Sequence, residues 1–234
     1  MSKKLVMVIT GTRTGIGKGL VKFYSKKGFH IIGCSREEVD YNLDNYKHFC
    51  LDVSDESSVK TFFSNIRKTY GRLDVLINNA GIATKNYLLL TSLSEVKKTI
   101  NTNILGSILF CRESVKLMKL NNFGRIINIS SIHVPLASKG TSIYGASKAA
   151  IEQFSRVISK EVFQYGINVN TIALSIVKNT GMENSLNDQM KSKILLKTIS
   201  KSLLNMDDIT NPIDFLISKK SKMITNQLLT IGGL

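Results

Sequence analysis

Short apolar runs of strand length alternate with longer amphipathic stretches along the whole chain, and this alternation narrows the possible folds more than any other feature. Strand-like runs fall at about 5–10, 29–34, 46–51, 73–78, 125–130, 167–172 and 227–231, and helical periodicity at about 15–27, 55–69, 92–119, 142–164 and 206–218. The strand runs are rich in β-branched residues and apolar at successive positions, as in Val6-Met7-Val8-Ile9, so each would be buried on both faces. The pattern predicts an α/β fold: a single doubly wound Rossmann domain spanning 1–234, with a seven-stranded parallel sheet and helices on both faces. Such sheets bind ligands beyond the carboxyl ends of their strands, and every chemically distinctive motif of this chain falls at such an end.

Composition limits the alternatives. A chain of 234 residues with 43% hydrophobic residues can bury a large core without staples, and its 2 prolines mark no linker. Cys34, Cys50 and Cys111 are odd in number and lack CxxC spacing, which argues against a disulfide framework or a zinc site and fits a reducing cytosol. No metal is expected. The apolar run after Lys3-Lys4 is too short for a signal peptide and ends in a glycine loop. No stretch approaches the ~18 apolar residues of a membrane span, so no membrane partner is expected and the location is read as cytoplasmic. The net charge of +15 comes from lysines spread along the chain without interleaved aromatics. It reads as a solvated basic surface, with no nucleic-acid partner expected; a nucleic-acid binder stays as an alternative resting on charge alone.

The first strand leads into Thr10-Gly11-Thr12-Arg13-Thr14-Gly15-Ile16-Gly17, and a helix follows. Glycines permit a tight turn and close backbone approach to a pyrophosphate, while the helix N-terminus offers unpaired N–H groups and a positive dipole end. The spacing is Gly-x3-Gly-x-Gly rather than G-x-G-x-x-G, and a purely structural glycine turn is the competing reading. Farther on, Tyr144 and Lys148 lie four apart in a helical pattern and so share a face. A phenol of ordinary pKa near ~10 is a poor acid–base group at neutral pH, and a nearby ammonium would lower it. Ser131 precedes Tyr144 by thirteen residues, with Ser130 the second choice for a serine role and His133 just beyond.

Together these motifs, with Leu51-Asp52-Val53, Asn78-Asn79-Ala80-Gly81 and Asn103 in order between them, resemble the short-chain dehydrogenase/reductase family, of the 3-oxoacyl-carrier-protein-reductase type. The resemblance covers nearly the whole chain. It implies that Gly11, Arg13, Thr14, Gly15, Ile16 and Gly17 hold the pyrophosphate end of NAD(P), that Asp52 and Val53 meet the adenine, and that Asn79, Ala80 and Gly81 line its ribose. Ser35 stands where NAD-preferring relatives carry a carboxylate, and Arg36 follows it. With Arg13 it would pair a 2′-phosphate, so NADP(H) is favoured over NAD(H), with Glu37 and Glu38 arguing the other way.

By the same resemblance Tyr144 exchanges a proton with a carbonyl or alcohol substrate, Ser131 hydrogen-bonds its oxygen, and Lys148 lowers the phenol's pKa and holds the nicotinamide ribose. Asn103 would help hold a water relaying protons to Lys148; the competing reading is a polar residue at a helix distortion. Val177 would meet the carboxamide through its backbone, and Asn179 falls where the family has threonine, with Thr180 one place late. Leu174-Ser175 replaces the family's Pro-Gly, so a dinucleotide-binding sensor or scaffold with weakened turnover is the second functional reading. Residues 182–204 are expected to form a lid, with Leu186, Met190 and Ile194 facing the pocket or core. Lys193, Lys197 and Lys201 repeat every four as a separate basic stripe, read first as a solvated face and alternatively as facing an acidic substrate, such as a nucleotide-linked sugar or a carrier-bound acyl group. Relatives assemble through the helices matching 105–119 and 142–164, so a homo-oligomer is expected, tetramer before dimer.

Overall fold

The structure, a computed structural model, describes residues 4–234; the first residues of the segment weighed as a signal peptide lie outside them. Seven strands form one sheet: β1 (Val6–Thr10), β2 (His30–Ser35), β3 (Tyr46–Cys50), β4 (Val75–Asn78), β5 (Gly124–Ser131), β6 (Ile167–Leu174) and β7 (Leu228–Ile231). They lie in the order β3-β2-β1-β4-β5-β6-β7, and every pairing is parallel. The helices are α1 (Gly15–Ser25), α2 (Glu56–Tyr70), α3 (Leu93–Ile100), α4 (Gly106–Met118), α5 (His133–Leu136), α6 (Ser142–Val162), α7 (Gly181–Asn184), α8 (Asp188–Leu195) and α9 (Met206–Ile217).

Successive side chains of β1 point to opposite faces, and both faces are covered. Val6 and Val8 pack with Phe62, Ile66 and Phe110 of α2 and α4; Met7 and Ile9 pack with Leu20, Tyr24, Ile209 and Ile213 of α1 and α9. This two-sided burial is the physical reason for continuous apolar runs in place of alternation. Each fully buried aliphatic side chain is worth about 1.5–3 kcal/mol relative to exposure, so the two cores supply the main driving force. At the sheet's base Asp74, wholly buried, accepts from the Val6 N–H at 2.7 Å and from Arg72, which ties β4 to β1.

All seven expected strands and all five expected helices are present, with differences in one helix, one strand and three short additional helices. The helix read as unbroken over 92–119 contains a π-turn, Asn101–Leu105, between α3 and α4. β6 runs on to Leu174, pairing there with Ser131 and Ile231. Leu174 keeps the N–H that a proline would lack, so the ladder can continue where the family pattern breaks. The short helices α5, α7 and α8 did not register as elements in the sequence. From β1 the chain first builds outward to β3, then resumes on the other side at β4, and this reversal opens a crevice at the carboxyl ends of β1 and β4.

Candidate active site

A cavity of ≈ 300 Å³ fills that crevice. Its floor is the loop after β1, fastened to the loop after β4. Thr10 Oγ1 accepts from the N–H groups of Asn79 (3.0 Å) and Ala80 (2.9 Å), and Asn79 Nδ2 donates to the carbonyls of Thr10 (2.9 Å) and Gly11 (3.2 Å). Gly17 lies so close beneath this loop that a Cβ would sit 2.1 Å from the Gly11 carbonyl oxygen, so no other residue fits. Gly11, Arg13, Thr14 and Ile16 line the cavity, whereas Gly15 and Gly17 shape the loop from behind. Thr14 is the N-cap of α1, its side chain caps nothing, and the first turn carries no acidic residue. The unpaired amides and the helix dipole therefore face the cavity, which suits a diphosphate.

At one end, beyond β2, Ser35, Arg36 and Glu37 line the wall. The Ser35 hydroxyl donates to the Glu37 carbonyl (2.6 Å), and Arg36 is exposed. Arg13 Nη1 pairs with Glu37 Oε1 at 3.0 Å, so one of the two expected cations is already matched by a carboxylate, which sequence reasoning had set apart as a competing feature. His48, which the sequence did not single out, steadies this wall: Nδ1 lies 2.7 Å from the Tyr46 hydroxyl, and Nε2 lies 3.1 Å from both Ser35 Oγ and the Glu37 carbonyl. Glu38, His48 and Cys50 bring metal-ligating atoms within 4.8 Å of one another, although the histidine ring is engaged by those neighbours. Asp52 and Val53 line the adjoining wall, where Asp52 Oδ1 accepts from the Ser54 N–H and hydroxyl and opens the turn into α2.

At the other end lie Ser131, Tyr144 and Lys148. The first follows from β5; the other two lie one turn apart on α6, both buried. Lys148 Nζ donates to the Ile129 carbonyl at 2.8 Å and lies 5.9 Å from the Tyr144 ring centre. Burial pushes the ammonium down to about 8 and lifts the Tyr144 phenol above its ordinary value, with the Ser131 hydrogen bond pulling the other way. The expected lowering of the phenol is thus opposed here by desolvation, which penalises both charged forms. Ser130 Oγ donates to the buried Glu152 carboxylate at 2.6 Å, so this serine is committed elsewhere, while Ser131 Oγ accepts the His133 N–H at 3.2 Å and stays beside the Tyr144 phenol.

Asn103 does not line the cavity. It sits in the π-turn, 1% exposed, with Nδ2 donating to the Ile82 carbonyl (3.0 Å) and Ser147 Oγ (2.9 Å), and Oδ1 accepting the Ile82 N–H (2.9 Å). Gly81 runs past it, and a Cβ there would lie 3.3 Å from both Asn103 Oδ1 and Lys148 Nζ. Val177 lines the cavity; the bridge to Leu204 uses the peptide groups on either side of it. Asn179 does not line the cavity. It is exposed at φ 59° with its N–H on Glu183, and the cavity wall is formed by Thr180, whose hydroxyl donates to the Val177 carbonyl at 2.8 Å and caps α7.

α8 ends at Leu195, so Lys193, Lys197 and Lys201 are not successive turns of one helix, and all three are exposed. Of the apolar positions in this segment, Ile194 and Leu186 pack with Ile132 and Ile176, while Met190 stays exposed.

The comparisons with known proteins agree with this geometry. The family model described as short chain dehydrogenase matches residues 5–191. The chain is 30% identical over 234 residues to the 3-oxoacyl-(acyl-carrier-protein) reductase FabG of Escherichia coli, and 32% to that of Haemophilus influenzae, covering 97% of this chain and 96% of each relative. Among solved structures it resembles ElxO with NADP bound, at TM-score 0.89 and 30% identity over 98% of this chain and 97% of that one. A tyrosine-to-phenylalanine variant of ElxO with NADPH bound matches equally well. No described helix is long and apolar enough to cross a membrane. The chain belongs to the short-chain dehydrogenases, and so to the NAD(P)-dependent oxidoreductases.

Proposed function

We propose that this chain reduces a ketone to a secondary alcohol with NADPH, with Tyr144 as proton donor. The observation that carries the reading is the buried trio of Ser131, Tyr144 and Lys148 at the end of a crevice whose floor is an uncapped helix N-terminus. The cavity fits a dinucleotide: Gly11, Thr14 and Ile16 with the α1 amides would hold the diphosphate, and Asp52, Val53, Ala80 and Gly81 the adenosine. Arg36, with Arg13 if it leaves Glu37, would hold a 2′-phosphate. Bound there, the cofactor supplies the hydride. ElxO is solved with NADP bound and its variant with NADPH bound, in line with the Arg36 side of the argument.

The protein's own part is proton transfer and orientation. Ser131 Oγ donates to the substrate oxygen and aligns it. Tyr144 gives up its phenolic proton as negative charge grows on that oxygen; the phenol lifted by burial is in the protonated form this direction needs. Lys148, charged below about 8, stabilises the phenolate left behind. Asn103 is a positioning residue, holding Ile82 and Ser147 so that Lys148 and Gly81 keep their places. Residues 182–186 reach over the cavity as the near part of a lid. Tyr144→Phe tests the reading. It should lower kcat for NADPH-dependent ketone reduction at least a hundredfold while NADPH still binds; undiminished turnover would overturn it. Tight NADPH binding by the unaltered protein with no turnover across a ketone panel would instead mark a dinucleotide-binding scaffold.

A further inference from the structure

Behind the adenosine end of the crevice, the edge of the sheet gathers an imidazole, a thiol and a carboxylate. His48 and Cys50 stand two apart on the edge strand β3, so they share one face of it, opposite Gly33 and Ser35 of β2. Glu38 comes from the turn after β2. One ligand atom from each lies within 4.8 Å of the others, with Cys50 and Glu38 exposed and His48 half-buried. Around a four-coordinate zinc, bonds of about 2.0–2.3 Å place neighbouring ligand atoms roughly 3.3–3.8 Å apart, a closure of about an ångström that the exposed Glu38 and Cys50 side chains can make. Spacing along the chain excludes a CxxC site and is silent on this one, because Glu38 meets β3 only in the folded sheet. The His48 ring is already oriented as a ligating imidazole is. Nδ1 lies 2.7 Å from the Tyr46 hydroxyl, which lies 2.7 Å from Thr12 Oγ1, and that hydroxyl donates to the Cys34 carbonyl. The relay ends on an acceptor, so it can take the Nδ1 proton and leave the Nε2 lone pair for a cation. Nε2 faces two oxygens, Ser35 Oγ and the Glu37 carbonyl, each at 3.1 Å, and the Ser35 hydroxyl already donates to that carbonyl. A cation on Nε2 therefore displaces at most one hydrogen bond, from Nε2 to Glu37.

We propose that Glu38, His48 and Cys50 bind a divalent transition metal of the zinc class, and that its presence strengthens the hold of the neighbouring wall on a 2′-phosphate. A nitrogen, a thiolate and a carboxylate suit zinc or cobalt and not magnesium or calcium. Coordination replaces the thiol by a thiolate and releases its proton to solvent, so a dication together with one new thiolate raises the local charge by a single unit. That charge sits directly behind Ser35, Arg36 and Glu37, which line the cavity, and the bond to Glu38 ties their turn to β3. The effect on the phosphate rests on the reading of this wall as the NADPH end of the cavity; the metal site does not.

Cobalt(II) is the probe for the site. Titrated into the untagged, reduced protein, it should bind stoichiometrically, release protons and give a thiolate-to-cobalt charge-transfer band. Cys50→Ser should abolish the band and leave the metal-free Tm unchanged; Cys34 and Cys111 are buried and out of reach. Glu38→Gln and His48→Gln should each weaken cobalt binding roughly tenfold or more. With zinc added, NADPH should bind several-fold more tightly and NADH as before, a difference that EDTA reverses and that Cys50→Ser lacks. Absence of the band, or a band that survives Cys50→Ser, would overturn the site. A Cys50-dependent band with no change in NADPH affinity would overturn the coupling to the phosphate. Failure to bind NADPH at all, with the band present, would count against the cofactor reading and leave the metal site standing.

Discussion

Ser130 and Ser131 are adjacent and chemically identical, yet the structure gives them opposite duties. Ser130 is bound to a buried carboxylate, Glu152, and Ser131 faces the cavity beside Tyr144. Ser130→Ala should therefore cost stability, about 1–3 kcal/mol for a buried carboxylate that loses a donor, readable as a lower urea midpoint. Ser131→Ala should leave the midpoint nearly unchanged and lower kcat roughly a hundredfold, the size expected for one donor to a developing oxyanion. The Lys148 charge adds a pH dependence. Its folded-state pKa is about 8 against 10.5 for an ordinary lysine, so kcat/KM for reduction should fall as pH rises through about 8. Stability moves the other way. Between about 8 and 10.5 the unfolded chain holds a proton that the folded chain has released, so stability relative to Lys148→Met rises with pH, and below 8 that difference is flat. Urea titrations of both proteins at pH 7 and 9.5 check the sign.

The π-turn between α3 and α4 is the element whose consequences reach farthest into the site. Its extra residue turns Asn103 inward, where one amide satisfies both peptide groups of Ile82 and the Ser147 hydroxyl. Asn103→Leu strands two buried backbone groups, so it should destabilise the protein by about 2–4 kcal/mol and raise the KM for cofactor as Gly81 and Lys148 shift; Asn103→Asp, which keeps the acceptor for Ile82, should retain more of both. A Tm and a KM measured on each variant decide this. The sequence carried the sheet almost whole, because two-sided burial writes itself as continuous apolar runs. It also carried the Thr10–Gly17 loop and the Tyr144–Lys148 pair, because both depend on local spacing. It carried the π-turn only as the competing reading of Asn103 at a helix distortion, because the turn meets the Ile82 loop, a partner distant in sequence. It did not carry the shift from Asn179 to Thr180, which a left-handed turn produces, or the end of α8 that breaks the lysine stripe. Arg13 was legible as a cation but not as the partner of Glu37, since β2 and the glycine loop meet only in the folded sheet. Glu37→Gln should free that cation and tighten NADPH binding several-fold relative to NADH, whereas Arg36→Ala should weaken NADPH about tenfold, both measured by titration of cofactor fluorescence.

At the scale of the whole molecule two opposing surface properties set the expected assembly. The segment before α3 exposes Leu88, Leu89 and Leu90, with Leu89 97% exposed, and Leu93 and Ile100 of α3, Leu105 of the π-turn and Val157 of α6 leave further apolar surface. An exposed apolar run of this extent is the kind of surface that a second copy of the chain can cover. Each copy also carries a formal charge of +15, so bringing copies together costs electrostatic work that grows as ionic strength falls. Apolar burial is insensitive to modest salt, while repulsion between like-charged copies is screened over about 8 Å at physiological ionic strength. A homo-oligomer should therefore be favoured by salt: light scattering after size exclusion should give a tetramer or dimer at micromolar protein in physiological salt and a smaller mean mass in dilute buffer. Leu89→Lys adds charge where apolar surface would be buried and should shift the same equilibrium toward monomer without changing the urea midpoint of the monomer. A monomer at micromolar concentration in both buffers would mean that this surface is left uncovered, and the expectation drawn from the long helices would fail with it.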